Sequence, residues 1–199
     1  MNQSLSTAPA EIVSGRRQFL RTAGTATLSA TAVAMLMGCE SMARGSMANP
    51  TEDVKILNTA LGLEYQAITA YQIGAETGLL PRPALEAAVL FQSHHKEHAA
   101  ALDATVRKLG GMPVGMMDKA EVAMKINAAS IKTANDILML AARLEKGASD
   151  TYLSVIPSFA DGQLAKVAGR IAADETMHWT ALQAVLQQTL PAKALSFGA

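Results

Sequence analysis

The chain has 199 residues, half of them hydrophobic, with Lys plus Arg matched by Asp plus Glu at 17 each. That length and apolar content suit one domain with a sizeable core and an appendage. The even charge balance, with no basic block and no aromatic-studded basic face, excludes nucleic acid as an expected partner.

Residues 1–39 are set apart from the fold. Arg16-Arg17-Gln18-Phe19-Leu20-Arg21 precedes an apolar, small-residue run from Thr22 to Gly38, the charged-then-apolar order of an export signal. Gly24 and many Ser and Thr interrupt the run, which is short for a membrane span. The arginine pair followed by Phe-Leu resembles a twin-arginine translocation (Tat) signal, which implies delivery to the periplasm. Leu36-Met37-Gly38-Cys39 closes the run with the only cysteine of the chain and looks like a bacterial lipobox, implying a lipid on Cys39 and a membrane tether. Cleavage after Ala43 or Ala48, each with a small residue two before it, gives a soluble periplasmic protein instead. A single cysteine excludes an internal disulfide. Residues 40–50 lack periodicity and read as a flexible tether.

Residues 51–190 carry four long helical patterns, followed by a tail at 191–199. In the first, Thr51 is a candidate N-cap, and Leu57, Leu61, Glu64, Ile68, Tyr71 and Ala75 form one stripe on a helix ending near Gly78. Pro81 and Pro83 break the pattern, and a second helix runs from about Ala84 to Leu109, closed by Gly110-Gly111. Residues 110–132, with a short helix over Lys119 to Asn127, read as a crossover, and the methionines there as apolar filler. The third helix runs from about Thr133 to Pro157 with Leu138, Ala141, Glu145, Ala148, Tyr152 and Val155 on its stripe. Asp161 caps the fourth, which reaches Gln188.

The fourth helix contains Ile171-Ala-Ala-Asp-Glu-Thr-Met-His-Trp-Thr-Ala-Leu182. Ile171, Glu175, His178, Leu182 and Val185 share its buried face. A carboxylate on a core stripe requires a positive partner, and the adjacent imidazole points to a metal ion. Leu90-Phe-Gln-Ser-His-His-Lys-Glu-His-Ala-Ala-Ala-Leu102 aligns with this stretch without gaps, setting His98 on His178, His95 on Glu175 and His94 on Asp174. All four histidines fall in these two stretches. The first and third helices repeat each other too: Leu63-Glu64-x-x-Ala67-x-x-x-Tyr71 matches Leu144-Glu145-x-x-Ala148-x-x-x-Tyr152. Two equivalent hairpins joined by one crossover predict an all-α, antiparallel four-helix bundle with pseudo-twofold symmetry.

With these motifs, residues 51–188 resemble the ferritin-like superfamily, whose di-iron and di-manganese members use a Glu from each of two helices and Glu-x-x-His from each of the other two. The resemblance implies Glu64 and Glu145 as terminal carboxylates, His98 and His178 as imidazole ligands, and Glu175 as a bridge. Asp174 matches a position that orients an imidazole across the site, with His94 as its counterpart. His95 stands where a second bridging Glu is expected. An imidazole offers one nitrogen to one metal, so the expected site is an asymmetric iron pair, a mononuclear site, or one suited to manganese or zinc. Tyr71 and Tyr152, on the same stripes as Glu64 and Glu145, are expected to hydrogen-bond carboxylates.

Two classes of function follow. One is an exported metalloprotein that oxidises iron or reduces oxygen or peroxide; the other is a non-catalytic metal-buffering or structural envelope protein. A dimer packed along helix faces is compatible with either.

Overall fold

The computed structural model describes residues 50–198. The export signal at 1–39, Cys39 and all of the tether but Pro50 lie outside the described residues. Five α-helices carry the described chain: α1 (Pro50–Glu76), α2 (Arg82–Lys108), the short α3 (Lys119–Lys125), α4 (Ala134–Val155) and α5 (Gly162–Val185). No strand occurs among the described residues. The main packing pairs are α1 with α2 and α4 with α5, and α1 also packs on α4.

Local chemistry sets most of the boundaries. Thr133 and Asp136 form a capping box at the start of α4, and the Asp161 side chain accepts from Gln163 N at 2.7 Å to start α5. Two expectations shift. Thr51 lies inside α1, which already includes Pro50. Pro83 does not precede α2 but sits in its first turn, where a missing N–H leaves no broken bond, and Pro81 is the N-cap.

At its other end α2 closes as expected on Gly110-Gly111. Gly110 has φ +79°, and its N–H donates to Arg107 O while Gly111 N–H donates to Val106 O, each at 2.9 Å. A Cβ on Gly111 would lie 2.6 Å from Val54 Cγ1, so this turn also lets α1 and α2 approach. Gly111→Ala is expected to cost about 1–3 kcal/mol through overpacking, measured by denaturant unfolding. The same pair of hydrogen bonds ends α5: Gln187 N–H, at φ +54°, donates to Ala184 O and Gln188 N–H to Gln183 O. The helix therefore stops at Val185, short of Gln188. Val185, the last residue of the helix, is 60% exposed despite its place on the stripe.

The core forms two apolar plugs with a polar layer between them. One gathers Leu57, Leu61, Leu102, Val106, Tyr152 and Ile171; the other gathers Tyr71, Phe91, Ala141, Ala142, Trp179 and Leu182. Each fully buried aliphatic side chain of this kind contributes about 1.5–3 kcal/mol. The crossover is more than a connection, since Val122 and Ile126 bury against Ala70 of α1. Its methionines are not uniformly filler: Met112 is 86% and Met124 75% exposed. After α5, Phe197 meets Trp179 edge-on at 5.1 Å, and Gly198 N–H donates to Asp150 at 2.9 Å.

Candidate metal centre

The polar layer holds the side chains that the repeats single out. Glu64 comes from α1, His95 and His98 from α2, Glu145 from α4, and Glu175 and His178 from α5. All six are buried, with Glu175 and His178 fully so. Helical spacing explains the convergence: Glu64 lies one turn beyond Leu61, and Glu175 one turn beyond Ile171, on stripes already committed to the core.

The six side chains form two overlapping groups able to hold a metal ion. Glu64, His95, His98 and Glu175 make one; His95, Glu145, Glu175 and His178 make the other. Within each group one ligand atom per residue lies within 4.8 Å of every other. Glu175 belongs to both because its oxygens point apart. Oε1 lies 3.2 Å from His98 Nδ1, and Oε2 lies 3.4 Å from His178 Nδ1.

The fit to a metal rests on atoms that protein alone leaves unsatisfied. His98 Nδ1 and both oxygens of Glu175 are buried without a hydrogen-bond partner, the His98–Glu175 approach lacking hydrogen-bond geometry. An orphaned buried polar atom costs about 1–3 kcal/mol, and more for a charged group. Lone pairs converging from a carboxylate and an imidazole are what a divalent cation with N and O preference satisfies.

The surrounding hydrogen bonds orient these lone pairs inward. Asp174 Oδ2 lies 3.2 Å from His98 Nε2, and the tautomer with its proton on Nε2 leaves Nδ1 free toward Glu64 and Glu175. Across the bundle His94 Nδ1 lies 2.9 Å from His178 Nε2, and a proton on that Nε2 frees Nδ1 toward Glu145 and Glu175. Asp174 and His94, aligned in sequence, thus serve each other's hairpin. The tyrosines do the same. Tyr71 on α1 donates to Glu145 on α4, and Tyr152 on α4 donates to Glu64 on α1. Asp174→Ala and His94→Ala are each expected to weaken metal binding about 10–100-fold in a competition titration, with little loss of stability because Asp174 is half exposed.

His95 faces a carboxylate with each of its two ring nitrogens. Its Nδ1 lies 2.8 Å from Glu64 Oε2 and its Nε2 3.2 Å from Glu145 Oε1, so the ring spans the two halves. Burial alone would lower its pKa, but hydrogen bonds to Glu145 and Glu64 and the charge of Glu175 raise it to about 10. His98 is likewise raised to about 10, burial being outweighed by Glu175 and Glu64, and His178 is raised by Glu145 and Glu175. Burial works against Glu64 and Glu145, yet their imidazole partners hold both below the usual carboxylate value. Glu175 goes the other way, because burial dominates where its oxygens are unpaired. Burial beside carboxylates keeps both tyrosine hydroxyls protonated.

Phe91 was not singled out by its chemistry. Its ring stacks on His178 at 4.2 Å, with 25° between the planes. The available signal is the stretch alignment, which puts Phe91 on Ile171 of the buried stripe.

Three comparisons bear on kinship. No curated protein matches the chain. The crystal structure of a conserved hypothetical protein, rv2844, from Mycobacterium tuberculosis superposes with TM-score 0.58 at 16% identity, over 73% of this chain and 97% of that one. At that identity the likeness speaks to the fold alone. The ferritin-like domain family matches residues 52–188, the span that holds both hairpins and every residue of the polar layer, and the chain belongs to that family.

Proposed function

We propose that this protein is an exported metalloprotein whose bundle, residues 51–190, binds two iron or manganese ions. Glu64 and His98 would hold one ion and Glu145 and His178 the other, with Glu175 available to both. The observation that carries this reading is Glu175: a fully buried carboxylate with two unpartnered oxygens, each directed at a different imidazole. Iron or manganese held there would supply electron transfer with dioxygen or peroxide, and ferrous iron is itself a candidate substrate. The chain's own residues fix the rest. Tyr71 and Tyr152 pin the terminal carboxylates, His94 and Asp174 set the imidazole tautomers, and Phe91 stacks on the His178 ring.

Exposure of the reduced, iron-loaded protein to oxygen or peroxide tests the redox reading. An absorbance change within seconds is expected, and an unreactive sample would assign the protein to metal buffering or a structural role in the envelope. Export rests on the Arg16-Arg17-Gln18-Phe19-Leu20 signal, with Cys39 as a lipid anchor or downstream cleavage as the alternative. Replacing Arg16 and Arg17 together by Lys is expected to abolish periplasmic accumulation, measured by cell fractionation.

A mononuclear site is favoured by one specific observation. His95 has both nitrogens within hydrogen-bond distance of carboxylates, and an imidazolium donating to Glu64 and Glu145 would occupy the place of one cation.

A further inference from the structure

Next to the polar layer, where α1 and α5 end and α2 and α4 begin, lies a cavity of about 230 Å³. Its walls come from all four long helices and from Leu80 and Pro81 of the α1–α2 connection. Tyr71 and Phe91 also line it, and both reach the polar layer: Tyr71 donates to Glu145, and Phe91 stacks on His178. Tyr71 carries the only polar side-chain group of the lining, and its hydroxyl is already committed.

We propose that this cavity is a binding site for a neutral, apolar small molecule, seated against Tyr71 and Phe91. Chemistry sets the class. A charged or hydrogen-bonding group seated inside, away from the open mouth, would shed its water and find no partner, whereas an apolar one gains burial against Leu, Ile, Pro and Phe side chains. Size sets the scale, since an apolar cavity of about 150 Å³ accepts benzene, so this larger one suits roughly two fused rings. The ligand would rest on the same two aromatic side chains that contact Glu145 and His178. It is therefore placed to sense, or be acted on by, whatever those residues hold. The cavity exists in the protein alone, and the proposal does not depend on the metal reading.

The test titrates 1-fluoronaphthalene into the metal-free full-length chain and follows ¹⁹F NMR shift and line width. Saturable binding at one equivalent per chain is expected. Ala84→Phe and Ala88→Leu, which fill the cavity from α2, are each expected to weaken it by about tenfold or more, with the thermal midpoint kept or raised. Should Ala84→Phe fail to fold, the smaller Ala88→Leu decides. No saturable binding, binding unaffected by the filling variants, or equally tight binding of 1-naphthalenesulfonate would overturn the proposal. So would a change from dimer to monomer on filling the cavity, since the cavity mouth would then be a surface between copies. Because no metal is present in the titration, its failure leaves the metal reading standing, and failure of metal binding leaves this site standing.

Discussion

Replacing Glu175 by Ala is expected to reduce bound metal from two ions per chain to none, while leaving the metal-free bundle at least as stable as before. The first half follows from position. Glu175 is the one carboxylate in both candidate groups, so its loss leaves each with a single carboxylate, Glu64 or Glu145, that His95 already engages. The second half follows from burial. In the metal-free protein its two oxygens lack hydrogen-bond partners at 0% exposure, so removing the side chain relieves a desolvation cost that offsets both the small void created and the loss of a carboxylate beside His95, His98 and His178. Glu175→Gln separates charge from shape, with metal expected to be lost although the side chain keeps its volume. Metal analysis with thermal unfolding of the metal-free variants reads both halves. Retention of two ions by both variants contradicts the bridging role.

Metal loading is expected to be the largest single stabiliser of the domain. At a free-metal concentration a thousandfold above the dissociation constant, linkage contributes about 4 kcal/mol, which raises the melting temperature of a domain of this size by roughly 8–16 °C. The effect depends on pH with a definite sign. His95 and His98 keep their protons to about 10 against an ordinary 6.5, so their stabilisation of the metal-free fold is complete below pH 6.5 and declines as pH rises through about 10. Glu64 and Glu145 are held below their ordinary 4.5, so their contribution is present above pH 4.5 and is lost as pH falls. The metal-free protein should therefore be most stable between pH 4.5 and 6.5. Metal must displace protons from His98 and His178, so the loaded protein gains over the metal-free one as pH rises from 6 to 8. Calorimetric scans of both forms across that range check the crossing trends.

Much of the fold is legible in the sequence because its signals are periodic and doubled. The Glu64 and Glu145 stripes and the aligned His98 and His178 stretches place four helices and a common centre without any long-range information. The repeat even pairs Asp174 with His94, and the structure places both in equivalent contacts with the opposite imidazole. What spacing does not reveal depends on side-chain direction in three dimensions. His95 is legible as a buried residue, but not as a ring lying between Glu64 and Glu145, because that needs the separation of α1 from α4. Phe91 looks like any core aromatic until its ring meets His178. Pro83 reads as a breaker because its effect depends on whether it falls before or within the first turn. The exposed methionines of the crossover illustrate a related limit: apolar character predicts burial only where a partner surface exists, and Met112 and Met124 have none to cover them among the described residues.

Metal content per chain decides whether the polar layer holds a pair of metal ions. The full-length protein, purified without chelator and then supplied anaerobically with excess ferrous iron or manganese, is freed of unbound metal and analysed against protein concentration. Two ions per chain are expected, falling to none in Glu175→Ala. One ion per chain would contradict the dinuclear site in favour of a His95 imidazolium in the second position. No uptake of any divalent metal would contradict the metal centre itself.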